Sequence, residues 1–164
     1  MAADIVPVPE LSAFPAIAAM QSSAVVYGVV KAVHLFGVVL AVGTVVAFDL
    51  RVLGVGSHLN AKAVGKFLLP LSLVSLVLIL PTGVALFAAN HAVLITDSWF
   101  TAKMALLMVN ATLAVGFLSG PLKRADKWGE SSPLGARLLA LVSLVSWASV
   151  LVVAAVMPGG MAGT

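Results

Sequence analysis

Four apolar runs, each long enough to cross a lipid bilayer, constrain this chain more than any other feature. They cover about residues 24–50, 64–89, 99–120 and 136–157, and a span needs ~20 apolar residues for a ~30 Å hydrocarbon core. Inside that core no water can satisfy a free backbone N–H or C=O. Each run must therefore be helical, or all of them must close into a barrel. A barrel alternates apolar and polar residues, whereas a stretch such as LVSLVLIL is apolar on every side. The expected fold is an all-α membrane protein: a four-transmembrane-helix bundle over 24–158, the second span interrupted by Pro70 and Pro81.

Composition agrees with this reading. The chain of 164 residues is 62% hydrophobic and only 9% charged, against roughly 25% charged in a soluble domain. Its mean hydropathy is +1.17, more apolar surface than a water-soluble fold of this size can bury. The pI near 9.6 suggests a nucleic-acid binder only until the basic residues are located. Arg51, Lys62 and Lys66 follow the first run, and Lys123, Arg124, Lys127 and Arg137 follow the third. The loop NHAVLITDS and the tail MPGGMAGT have no Lys or Arg, and none precedes Lys31. By the positive-inside rule this places both termini outside the cytoplasm, in the periplasm of a bacterial inner membrane, with no nucleic acid as partner. Cysteine is absent, which removes disulfides, thiolate metal sites and iron–sulfur clusters.

The segment 1–23 lacks the basic start of a secretory signal and carries Asp4 and Glu10 instead, so it is expected to stay on the mature protein. It reads as extramembrane, with a short interfacial helix from about Pro9 to Met20 that presents Leu11, Phe14, Ile17 and Ala18 on one face. A short tail, 159–164, ends the chain. GFLSG, with Gly116 and Gly120, has the spacing that lets two helices approach closely, and the expectation is packing inside the bundle.

Ionisable residues within spans are costly and are usually paired or functional. Here they are Lys31, His34, Asp49 and Lys103, accompanied by Asn110 and by His91 at the end of the second span. His34 lies about 15 Å into its helix, with Lys31 one turn nearer the surface. One reading makes His34 a hydrogen-bonded interior histidine. Another makes it the iron ligand of haem b, with Lys31 and Lys103 meeting the propionates and His91 as second ligand. Spacing puts His91 ~10–15 Å nearer the surface than His34, which leaves open a single-histidine haem, a methionine ligand such as Met104 or Met108, or no haem. Asp49 and Arg51 read as a boundary pair, with Arg51 snorkelling to phosphates and Asp49 paired to it or to a loop lysine. A proton or substrate gate is the alternative. No catalytic constellation appears, because HExxH, a glycine-rich phosphate loop and a Ser/His/Asp set are all missing.

The string HLFGVVLAVGTVVAFDLRVLG (34–54) resembles the first span of a family of uncharacterised bacterial four-helix integral membrane proteins, with its histidine and its terminal Asp-Leu-Arg-x-Leu-Gly. WFTAKMALLMVNATLAVGF (99–117) and SLVSWASVLVVAAV (143–156) are similar to that family's third and fourth spans. The resemblance implies the four-span fold and implies no activity. On these residues the expected function is an accessory or anchoring subunit of a larger membrane complex, packed against other subunits or itself. The alternatives are a small b-type cytochrome that passes electrons between an outer partner and quinone through haem on His34, or half of a dimeric transporter, since one chain is short for a secondary transporter.

Overall fold

The computed structural model describes residues 14–128 and 131–156. It is all-helical there, with no strand among the described residues. The helices are α1 (Pro15–Ser22), α2 (Ala24–Leu53), α3 (Ala61–Ala89), the single turn α4 (His91–Leu94), α5 (Ser98–Ser119) and α6 (Leu134–Val156). A 3-10 turn over Pro121–Lys127 joins α5 towards α6. Four of these, α2, α3, α5 and α6, are long and apolar enough to cross a membrane. The all-α four-span bundle is the observed fold, and the chain is by this measure a multi-pass membrane protein.

Local chemistry sets where the helices begin and end. Ser23 caps α2 by accepting the Val26 N–H at 3.4 Å, Asn60 caps α3 through Ala63 at 3.0 Å, and Asp97 caps α5 through Trp99 at 2.8 Å. These short oxygen-bearing side chains satisfy N–H groups that no helical carbonyl reaches. Gly54 stops α2 at φ +116°, a left-handed conformation that glycine adopts without steric cost. The caps make α2 three residues longer and α3 three residues earlier than hydropathy alone suggests. The prolines do not interrupt α3, which runs unbroken through Pro70 and Pro81. Beside Pro81 the Thr82 hydroxyl donates to the Leu78 carbonyl, and Ser75 donates to Ser72 O. Pro70 and Pro81 leave the carbonyls of Lys66 and Val77 without their usual N–H, a loss of one bond each that a packed span tolerates.

The short N-terminal helix also differs from expectation. It covers 15–22, the earlier part of the expected helix lies outside the described residues, and Ile17 and Met20 are its buried residues while Phe14 is exposed. It is tied to the ends of α2 and α3, with Gln21 Nε2 donating to Ala89 O at 3.4 Å. Alongside it, Asn90 Nδ2 donates to the Tyr27 hydroxyl at 3.2 Å.

α2 is the central helix and packs along both α3 and α6, while α5 packs mainly on α6. α3 and α5 meet sparsely. Their visible contact is the stacked pair Phe87–Phe100, centroids 5.3 Å apart. The densest core lies at the end that carries the basic loops, where Phe48, Val52, Phe117, Ala136 and Ala140 cluster. Phe117 sets its edge against Phe48 at 5.3 Å and meets Trp128 at 6.3 Å, both perpendicular, a geometry that aromatic quadrupoles favour. Close approach of α2 and α3 depends on Gly37, where an added Cβ would lie 2.9 Å from Ile79 Cγ1 and 3.2 Å from Leu78 Cβ.

GFLSG does not serve the interior as expected. An added Cβ at Gly116 meets no heavy atom within 4 Å, and its neighbour Phe117 is the buried residue. Helical rotation of ~100° per residue puts Phe117 and Gly116 on different faces, and the bulky ring took the inner one.

Gly37→Val should lower stability by about 1–3 kcal/mol through overpacking. Gly43→Val, where a Cβ meets nothing within 4 Å, should leave it nearly unchanged. Equilibrium unfolding of both variants in mixed detergent micelles checks this pair.

Candidate functional site

The polar residues of the spans fall into three groups at different depths. The first joins α2 to α3. His34 is half-buried and its Nδ1 lies 3.0 Å from Thr82 Oγ1. A hydroxyl has one proton, and Thr82 gives its proton to the Leu78 carbonyl. By this assignment Nδ1 of His34 carries a hydrogen and donates it to Thr82, and Nε2 of the neutral ring is the nitrogen with the lone pair. Gly83 makes room for the ring, since a Cβ there would lie 3.1 Å from His34 Cε1. The Ile79 carbonyl also accepts from the imidazole, so in this assignment it shares the single N–H with Thr82, and the Lys103 ammonium on α5 is near enough to act on the ring electrostatically. Lys31 is half-buried one turn before His34.

His91 is not part of this group. Its Nδ1 donates to Ala88 O at 3.1 Å, beyond the end of α3. Thr82 marks the level of His34, and from Thr82 to Ala89 the helix already rises about 10 Å. The two histidines are therefore not brought to opposite sides of one iron. Met104 and Met108 are exposed, and Met108 lies on the far side of α5 from Lys103, so neither is turned towards His34. Among the described residues no group of three or more His, Cys, Asp or Glu gathers in metal-binding proximity.

The second group lies deeper, between α5, α6 and α2. Asn110, 6% exposed, donates through Nδ2 to Ser146 Oγ at 2.9 Å and to Leu106 O at 3.0 Å. One turn away on α6, Ser143 hydrogen-bonds the carboxyl group of Asp49. Asp49 is 4% exposed, and its Oδ2, like Asn110 Oδ1, has no hydrogen-bond partner among the described residues. Lys103, Asn110 and Phe117 are spaced by seven residues, so they share the face of α5 that looks into the bundle.

The third group corrects the expected Asp49–Arg51 pair. Arg51 does not snorkel outward. It is 4% exposed, and it donates from Nε to Leu59 O at 2.6 Å and from Nη2 to Ser57 O at 2.9 Å. Two residues apart on a helix point to nearly opposite sides, which sends Arg51 to the α2–α3 loop and Asp49 to α6. Arg51 thus acts as a clamp on that loop, with Nη1 buried and unpartnered among the described residues.

Sequence reasoning found His34, Lys103, Asn110, Asp49 and Arg51 because a polar residue in a span is conspicuous. It missed the assignment of Thr82, Ser143 and Ser146 to them. The one available signal was Pro81-Thr82-Gly83, where a hydroxyl and a residue without a side chain sit together inside a span.

The coupling across the Asn110–Ser146 hydrogen bond should be about 0.6–1.7 kcal/mol, the range measured for buried pairs between transmembrane helices. A double-mutant cycle of Asn110→Ala and Ser146→Ala, read by unfolding in detergent, measures it. A coupling near zero would show that the two side chains do not depend on one another.

No family model matches the chain, and neither a curated protein nor a solved structure matches it.

Proposed function

We propose that this chain is a membrane-embedded accessory or anchoring subunit, set in a bacterial inner membrane with both termini on the periplasmic side. The observation that carries the reading is the outer face of α5. Opposite the inward stripe of Lys103, Asn110 and Phe117, this helix presents Thr101, Ala105, Thr112 and Gly116 to the outside, around the exposed Met108. Their spacings of four and seven residues align them along one line. A second helix packs closely on small residues because backbones can approach, and an unbranched methionine between them adapts to the surface of a partner. Thr112 does not need a partner for its hydroxyl, which donates to Met108 O at 2.9 Å, so the line offers shape rather than an unmet polar group.

The basic loops support the orientation, as short positively charged connections are retained on the cytoplasmic side. Native mass spectrometry of the protein extracted in mild detergent should find it with another membrane chain or with its own copies. Ala105→Leu/Thr112→Leu should release it without lowering its unfolding midpoint, because neither residue packs inside the bundle. A wild-type protein that isolates as a stable monomer would reject the subunit reading.

A second reading, a small b-type cytochrome, draws support from the state of His34. A metal-bound imidazole characteristically donates its other N–H to a protein acceptor, which fixes ring and tautomer. Thr82 does this for Nδ1 and leaves Nε2 as the nitrogen able to ligate. With His91 held at another level, His34 would be the single protein ligand named here, and Lys31 and Lys103 would meet the propionates. A reduced-minus-oxidised visible spectrum of the purified protein should then show a b-haem band that is lost in His34→Ala. In Thr82→Val the ring is no longer fixed, and the band should weaken. A colourless protein, isolated from cells supplied with haem, would eliminate this reading and leave the first intact.

A further inference from the structure

A cavity at the basic end of the bundle is used by neither reading. It is a half-open cleft of about 480 Å³, within the range of small-ligand sites, and lies where the 3-10 turn after α5 meets the start of α6. Lys123 and Arg124 form its rim, and Trp128, Ala136 and Leu139 line it from the core side. Trp128 and Leu139 pack on the Phe48–Phe117 cluster, and Trp128 sets its ring perpendicular to Phe117, so this wall is held by the best-packed part of the molecule. Gly120 and Gly135 also line the cavity, and an added Cβ at Gly135 would meet nothing within 4 Å.

We propose that this cavity binds the headgroup of an anionic phospholipid in the leaflet on the basic-loop side. Arg and Lys suit a phosphate, and basic pockets between transmembrane helices recognise anionic headgroups. The apolar wall distinguishes a lipid from a soluble anion. Gly135 and Leu139 of the lining share one face of α6 with Val142, at spacings of four and three residues, and Val142 is exposed, so the glycerol and the first acyl carbons follow this face as the phosphate meets Lys123 and Arg124. An indole at that depth sits where its amphipathic ring is most favourable. The segment 121–137 also contains Asp126 and Glu130 against Lys123, Arg124, Lys127 and Arg137, which leaves it net positive.

The test uses the full chain with Trp99→Phe and Trp147→Phe, leaving Trp128 as the only indole, in nanodiscs of phosphatidylcholine and phosphatidylglycerol. Quenching of Trp128 by brominated acyl chains reports which lipid occupies the site. Brominated phosphatidylglycerol should be preferred about 25-fold over brominated phosphatidylcholine, since each of the two basic residues at the rim contributes roughly a fivefold preference for anionic lipid. Lys123→Gln/Arg124→Gln, both on exposed positions, should bring the ratio close to one. Lys62→Gln/Lys66→Gln, cations at the same end but outside the cavity, should keep it. An equal loss in both double variants would mean diffuse surface charge and would overturn the proposal. So would equal quenching by the two lipids, or loss of the preference on adding inorganic phosphate, which would assign the cavity to a soluble anion.

Discussion

Within hydrocarbon a polar atom has no water as an alternative partner, and the interior of this protein is arranged around that condition. Backbone groups are satisfied by helices. His34 is satisfied across α2 and α3 by Thr82, and Asn110 across α5 and α6 by Ser146. Arg51 gives two of its donors to the carbonyls of Leu59 and Ser57 in the loop beyond its own helix. Each polar side chain is thereby also a positional device. Between apolar helices in lipid no hydrophobic driving force selects one face over another, so packing and hydrogen bonds determine which faces meet.

The same condition accounts for the asymmetry of the molecule. At the basic end, rings and small residues interlock around Phe48 and Phe117, and glycine at position 65 brings α3 close to Phe48 and Leu122. Towards the other end Phe87 stacks on Phe100 as the visible contact between α3 and α5, and α1 buries Ile17 and Met20 as it packs on α2 and α3. The two ends are thus closed by different means, an interlocked aromatic cluster at one and a short lateral helix at the other.

Much of the architecture was legible in the residues. The four apolar runs, the basic loops between alternate spans and the polar residues inside spans all stand out in the chain. The prolines misled, because Pro70 and Pro81 look like interruptions, yet each removes one N–H from a helix of 29 residues and α3 continues. The Asp49–Arg51 pair misled differently. Two opposite charges near in sequence suggest an ion pair, but at a spacing of two they leave opposite sides of the helix.

By itself the sequence determined how many spans there are and roughly where each one ends, because bilayer thickness and backbone hydrogen bonding act on every span alike. Only the tertiary structure decided which side of each helix faces inward. A span that is apolar all round carries no periodic signal of its interior face, so nothing in GFLSG says that Phe117 turns in and Gly116 out. Steric fit between neighbouring helices made that choice, and with it chose the partners of His34, Asp49 and Asn110.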